Sequence, residues 1–416
     1  MPTPRIAIIG AGAAGCFAAI ELKRRCREAE VTVYESGTRP LAKVAITGGG
    51  RCNLTNTFAA VRSLAAVYPR GERLMKRLLR TFDAAATVQW FEREGVRFTT
   101  QPDECIFPRS QDAMEVVRTL TRAMDRCGVA LRCSRRVTGV ARADDGTFRL
   151  SFMQGDPAEA DYLLVTTGGA PKASGLAWLE ALGVERVPPV PSLFSFCVDD
   201  ASLCALTGTV VEGTTVALPG TKLRADGALL ITHRGVSGPA ILKLSSYAAR
   251  LLAEQDYRAR LSIGWLGDAA TATATDFITE AMAQQGRKLV TSHYPRALNA
   301  RLWAHLLQRA GIADTRRWGE LSRKEVNRLI ETLTNDLYAI AGRNPSREEF
   351  VTCGGVALSN VNANTLECRT CPRLYFAGEV LDVDAITGGF NLQAAWTTGM
   401  VAARSLASAV LQPSCG

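Results

Sequence analysis

Short apolar runs alternate with helix-spaced segments from the start of the chain. Residues 5–9 (Arg-Ile-Ala-Ile-Ile) form a β run that stops at Gly10. Residues 12–25 are rich in alanine and read as a helix, and Val31-Thr-Val-Tyr34 is a second apolar run. Strand, helix and strand within ~30 residues make a βαβ unit. Runs that are apolar throughout are expected in a parallel sheet covered on both faces. Residues 57–128 read as mainly helical, with Trp90, Phe91, Val116, Val117 and Leu120 on buried faces. Residues 129–153 read as strands around a turn at Asp144-Asp145-Gly146, and Leu163-Leu-Val-Thr166 is another buried strand.

The pattern shifts at Val187-Pro-Pro-Val-Pro191, a hinge or domain boundary. Beyond it the chain is β-rich, with runs at Phe194–Val198, Thr209–Val211, Thr214–Leu218, Ala228–Thr232 and Arg260–Ile263. Residues 271–341 read as helical, with Leu302, His305, Leu306 and Arg309 at helical spacing. Leu374-Tyr-Phe-Ala377 is a buried strand, and 391–408 is a last helix with Leu392, Ala395, Trp396, Gly399, Ala403 and Leu406 on one face. The expected architecture is α/β. A domain built from both ends of the chain (1–187 and 346–416) is interrupted by a β-rich insert (188–268) and a helical segment (269–345).

At 416 residues the chain is long enough for two or three domains. Its composition, 47% hydrophobic and 21% charged, is that of a globular protein. No apolar run reaches the ~18 residues of a membrane span. The N-terminus lacks the pattern of a secretory signal, so a cytoplasmic location is expected. The 12 cysteines are then expected to be reduced. Cys368-Arg-Thr-Cys371 has no second pair at zinc-finger spacing, so no metal site is expected. It reads as two thiols on a loop, with a redox dithiol as the sharper alternative. The net charge of +9 reads as a solvated basic surface, with attraction of anionic ligands as its sharper meaning.

Gly10-Ala-Gly12-Ala13-Ala14-Gly15 is GxGxxG between a strand and a helix. Gly10 permits the turn, Gly12 lets backbone approach a pyrophosphate, and Gly15 lets helix and strand pack closely. The helix N-terminus offers free N–H groups to phosphate. Glu35, about 20 residues on and followed by Ser36, ends the second strand, where an acid accepts from ribose hydroxyls. The motif fits FAD or NAD equally.

A second loop runs Lys43-Val-Ala-Ile-Thr47-Gly-Gly49-Gly-Arg51-Cys52-Asn53 to Asn56. Its glycines can wrap an anion and Arg51 can pair with one. A third stretch, 374–399, ends a strand in Gly378-Glu379, places acids at 382 and 384, and opens a helix after Gly388-Gly389 near Asn391, Leu392 and Gln393. If a flavin lies there, the helix dipole favours negative charge on the reduced ring, worth roughly 0.3–2 kcal/mol. Thr167-Gly168-Gly169 is a strand end suited to a crossing near the cofactor.

These stretches, with Ile106-Phe-Pro108, Thr232–Pro239 and Cys353-Gly-Gly-Val356, resemble the BaiN-like (aminoacetone-oxidase-like) family of bacterial flavoproteins over nearly the whole chain. The resemblance implies FAD in a Rossmann-like domain of glutathione-reductase type, one of the two-dinucleotide-binding-domain flavoprotein folds. It implies Glu35 on the adenosine ribose and Val137 on the adenine through its backbone. Lys43 and Gly49 to Asn53 would line the flavin side, and Glu379, Asp384 and Gly389 to Gln393 the ribityl and pyrimidine parts.

The expected activity is an FAD-dependent oxidoreduction of an unidentified small molecule. A single GxGxxG leaves no second intact Rossmann domain, so NAD(P)H would dock transiently as electron donor. His233 and Cys52 are the candidate catalytic side chains, although loop stabilisation and packing explain them as well. Two alternatives are an FAD-dependent RNA-modifying enzyme and a non-catalytic flavin-binding module.

Overall fold

Five parallel strands form the central sheet of the first unit, in the spatial order Leu374–Phe376, Tyr162–Val165, Arg5–Ile9, Glu30–Tyr34, Ala130–Arg132. The computed structural model describes residues 3–170, 173–267, 270–344 and 351–412. The chain divides into two compact units, Met1–Val190 with Val351–Gly416, and Pro191–Phe350. No helix among the described residues is long and apolar enough to cross a membrane.

The sheet puts the two ends of the chain side by side, because Leu163–Val165 pairs with both Ala7–Ile9 and Leu374–Phe376. Leu374–Phe376, Tyr162–Val165 and Arg5–Ile9 are apolar and almost wholly buried, as a doubly covered parallel sheet requires, whereas Glu30–Tyr34 alternates and the edge strand Ala130–Arg132 is not buried. The terminal helix, Phe390–Leu411, is buried on nearly all sides from Gln393 to Ala403, more than the single face its sequence suggests. It lies against the first helix, Ala13–Arg25, where a Cβ on Gly399 would stand 3.0 Å from the Ala14 carbonyl oxygen. Phe17, Phe91 and Trp396 pack together beneath the pair.

The stretch 57–128, read as mainly helical, holds helices at Leu64–Val67, Glu72–Leu78, Ala84–Arg93 and Ala113–Cys127. It also contains a hairpin, Phe98–Thr100 with Cys105–Pro108, whose second strand pairs with Thr55–Asn56. All four residues of Cys105–Pro108 are buried, and a run that short carries no period to separate strand from helix. The strands around Asp144–Gly146 are present as a three-stranded antiparallel sheet.

The second unit is a closed six-stranded barrel: Phe196–Val198, Gly235–Ser237, Arg224–Thr232, Val210–Ala217, Ala259–Gly264 and Asp336–Arg343. Two runs read separately, 209–211 and 214–218, are one strand with a register shift between Val211 and Thr214. Strand Asp336–Arg343 corrects the helical reading of 271–341, since it closes the barrel between Ala259–Gly264 and Phe196–Val198. Helices Ala270–Gln284, Ala300–Arg309 and Arg323–Thr334 share one apolar core with the barrel, so the helical segment is not a separate core.

Candidate functional site

The GxGxxG turn is held shut by its own backbone. Gly10 has φ +105°, and a Cβ there would lie 2.5 Å from the Thr166 carbonyl oxygen. A Cβ on Gly15 would lie 2.0 Å from the Gly10 carbonyl oxygen. Thr166, which the motif reading passed over, donates its hydroxyl to that same oxygen at 2.8 Å. Gly12 differs. Its φ of −84° is open to any residue, and nothing lies within 4 Å of its Cβ position. The protein does not need glycine there for itself, and the open space is one that a pyrophosphate would fit. The first-turn amides of Ala13, Ala14 and Gly15 have no intrahelical acceptor, and no acid competes in the first turn. The residues present therefore fit the diphosphate of a dinucleotide.

Glu35 stands beside this turn. One carboxylate oxygen accepts from the Ala11 amide at 2.8 Å, and the other from the Gly37 amide at 2.7 Å and the Ser36 hydroxyl at 3.1 Å. Val137 starts a strand and is half-buried.

The second loop begins as a helix, Ala42–Gly50, but its backbone breaks at Thr47, and Gly48, Gly49 and Gly50 are all left-handed. Gly48 is fixed by contact with the Asn53 backbone, whereas Gly49 and Gly50 face open space. Lys43 pairs with Glu379 at 3.1 Å, and Glu379 also accepts from the Thr352 amide at 2.8 Å. Asn53, oriented to satisfy both ends of its amide, donates to the Thr55 carbonyl at 3.0 Å and accepts from the Gly389 amide at 3.2 Å. Cys52 is fully buried, and burial pushes its thiol up to about 12. A thiol held protonated and away from solvent is a poor nucleophile, which favours the packing reading of Cys52.

The third stretch meets the first. A Cβ on Gly378 would lie 2.9 Å from the Ala14 side chain, so the strand end at 378 rests on the helix that opens the GxGxxG turn. Gly389 is the left-handed residue before the terminal helix, and a Cβ there would strike the Thr55 carbonyl at 2.5 Å. The Phe390, Asn391 and Leu392 amides lead the helix, because the Gln393 amide already bonds the Gly389 carbonyl at 3.0 Å.

Three expected ligand side chains turn out to be spent on the protein. Asp384 is 1% exposed and paired with Arg70, so its carboxylate is not offered to a ribityl chain. Gln393 is buried between Thr55, at 2.6 Å, and Thr397, at 2.9 Å. Asn391 bridges the amide and carbonyl of Ala385, both at 2.9 Å. A ligand at this loop would meet backbone at those positions.

Thr167 is exposed and Gly168 is left-handed with φ +74°. Gly169 is pressed against Thr352 and Glu379, where a Cβ would come within 2.4 Å and 2.7 Å. Beside them a shallow niche, open to solvent, is lined by Ala170, Gly354, Gly355, Glu379 and Val380 among others. Neither Thr352 nor Arg70 has a local sequence signal, because each acts through a partner distant along the chain.

His233 lies exposed on the barrel turn between Arg224–Thr232 and Gly235–Ser237, with no hydrogen bond from its ring to a described residue. Cys368 and Cys371 are buried free thiols, Cys368 within 3.4 Å of the Thr370 hydroxyl. Among the described residues no group of three His, Cys, Asp or Glu could hold a metal.

The family profile described as "HI0933-like protein Rossmann domain" matches residues 4–405. A 3-dehydro-bile acid delta(4,6)-reductase from Clostridium scindens is 30% identical, with 97% of this chain and 99% of the relative covered. A ribosomal RNA dihydrouridine synthase from Escherichia coli is 29% identical, with 97% and 98% covered. Among solved structures, a 3-ketosteroid delta1-dehydrogenase from Sterolibacterium denitrificans matches with a TM-score of 0.53 at 12% identity, covering 98% of this chain and 100% of that one. That last likeness is one of fold. The matches set aside the non-catalytic reading. With the family shown over almost its whole length, the chain belongs to the HI0933-like family and is an FAD-dependent oxidoreductase.

Proposed function

We propose that this enzyme reduces a carbon–carbon double bond conjugated to a carbonyl in a small molecule, with NAD(P)H as a transient electron donor. The observation that supports the site is the contact of Gly378 and Gly399 with Ala14, which joins the glycine-opened helix to the diphosphate turn. The names of the two relatives support the chemistry. A 3-oxo-4,6-diene and a uracil ring both offer a C=C bond conjugated to C=O, and both names describe adding hydrogen across it.

When bound, FAD supplies the two-electron step: hydride passes to the carbon β to the carbonyl, and a proton completes the α carbon. The amides of Ala13 to Gly15 would hold the diphosphate, and Glu35 the adenosine ribose, with Val137 alongside the adenine. Lys43, Glu379 and the backbone of the Gly49–Asn53 loop would flank the rest of the cofactor. The amides of Phe390 to Leu392, at a helix N-terminus, would favour negative charge on the pyrimidine end. His233 and the Cys368–Cys371 pair take no part in this reading.

The test is a visible spectrum of the purified protein, followed by NADH or NADPH without oxygen and then a conjugated enone. Flavin bleaching by the nicotinamide and recovery on adding enone is the expected result. Protein that stays colourless after incubation with FAD would overturn the reading. The second relative's name would carry the same bond chemistry to a nucleobase, and salt-sensitive RNA binding is the measurement that would move the proposal there.

A further inference from the structure

Arg51 is an exposed cation with no carboxylate partner among the described residues, on the loop that meets the terminal helix. Its guanidinium lies 4.5 Å from the centre of the buried Phe107 ring, and its Nε donates to the Gly48 carbonyl at 3.2 Å. Nη1 reaches the Gln111 amide oxygen at 3.5 Å, and Gln111 is itself tied to the Pro108 carbonyl at 3.0 Å. Nη2 has no hydrogen bond to a described residue, and no described carboxylate lies within 4.0 Å of the group. The neighbouring cations are neutralised: Lys43 by Glu379, and Arg70 by Asp384. On the same loop Ile46 is 50% exposed, and Gly49 and Gly50 face open space. A guanidinium with one edge free, on a loop that also exposes Ile46 and two glycine backbones, suits a flat neutral molecule carrying a single oxygen.

We propose that Arg51 binds the substrate rather than the cofactor, donating from Nη2 to the carbonyl oxygen of the conjugated system. This rests on the reduction proposed above. The diphosphate already has its cradle at Gly12, while Arg51 belongs to the other end of the site, two residues before Asn53, which bonds Gly389. In the reaction the substrate gains hydride at the β carbon and its π electrons shift onto the carbonyl oxygen. Arg51 holds that oxyanion until a proton from water reaches the α carbon, and the cofactor has then lost two electrons. The arginine's cation–π and Gly48 contacts set its direction in advance, so little ordering remains when charge develops.

The test uses the FAD-loaded full chain and 4-chlorophenolate, whose oxyanion mimics the charged intermediate and whose stacking on a flavin gives a long-wavelength band. Wild type is expected to bind it saturably. Arg51→Met is expected to weaken binding by about tenfold or more at unchanged FAD content, with Arg51→Lys in between. The proposal is overturned if wild type shows no band, if Arg51→Met binds as wild type does, or if Arg51→Met loses its FAD, which would make Arg51 a cofactor ligand. Reduction of 2-cyclohexenone by the wild type, run in parallel, separates the two failures. Turnover that Arg51→Met leaves intact sinks only the arginine's role, and no turnover of any conjugated enone sinks the reaction.

Discussion

Arg70 and Asp384 form a buried two-point ion pair, Nε to Oδ1 at 2.6 Å and Nη2 to Oδ2, between residues that also share an isolated β-bridge. The pair clasps the loop before the terminal helix to the segment preceding Glu72–Leu78. A Cβ on the adjacent Gly71 would meet the Val383 side chain at 2.5 Å, so backbone and charge are locked together. Arg70→Met would leave a carboxylate buried without its charge partner, at a cost of roughly 3–5 kcal/mol. Urea denaturation is the check, and a cost below about 1 kcal/mol would show that the pair does not hold the loop.

The glycines of the first turn separate folding from cofactor binding. Gly15→Ala places a methyl 2.0 Å from a carbonyl oxygen and should destabilise the protein with or without FAD. The Cβ of Gly12→Val meets no protein atom within 4 Å, and the change should alter apoprotein stability by no more than about 1 kcal/mol, while FAD affinity falls steeply. Paired thermal melts and flavin titrations decide the matter. Unchanged FAD affinity in Gly12→Val would mean the space is not the diphosphate cradle.

Burial raises the Cys52 thiol from 9.0 to about 12. The protonated form is the one the fold favours, so its contribution is fully present below pH 9 and is lost as pH rises toward 12. Native Cys52 should resist iodoacetamide at pH 8, and the alkaline loss of stability should shrink in Cys52→Ala. Peptide mapping showing rapid native alkylation of Cys52 would contradict the burial argument.

His305 responds in the opposite direction. Burial lowers its pKa, and its Nε2 lies 3.2 Å from the Tyr338 hydroxyl, which donates to Asp336 at 2.7 Å. The neutral ring is favoured in the fold, so stability is present above the unfolded value of roughly 6.5 and declines as pH falls below it. Comparing melts at pH 7.5 and 5.5 for wild type and His305→Phe tests this. Equal acid sensitivity in the two proteins would remove His305 as its source.

Sequence pattern read the parallel strands, the Gly10–Gly15 turn and the glycine-opened terminal helix well, because each signal is local. The hairpin at Phe98–Pro108 and strand Asp336–Arg343 were illegible. The first offers too few residues for a period, and the second is a strand only through neighbours at 196–198 and 259–264. Among the candidate ligands, Gly12 leaves open space, and Glu35 accepts from the Ala11 and Gly37 amides and the Ser36 hydroxyl. Asp384, Asn391 and Gln393 had the right residue types in the right loop, and the fold spent their side chains internally.

The chain by itself determined which backbone turns must be glycine and which segments must be apolar, since steric exclusion and strand or helix periodicity act between near neighbours. Tertiary structure alone decided which polar groups remain available. Arg70 reaches Asp384 across 314 positions and Thr55 reaches Gln393 across 338, and a hydrogen bond formed over such a distance leaves no local trace. The same packing left Arg51 with an aromatic ring beside it and its Nη2 edge without a partner among the described residues.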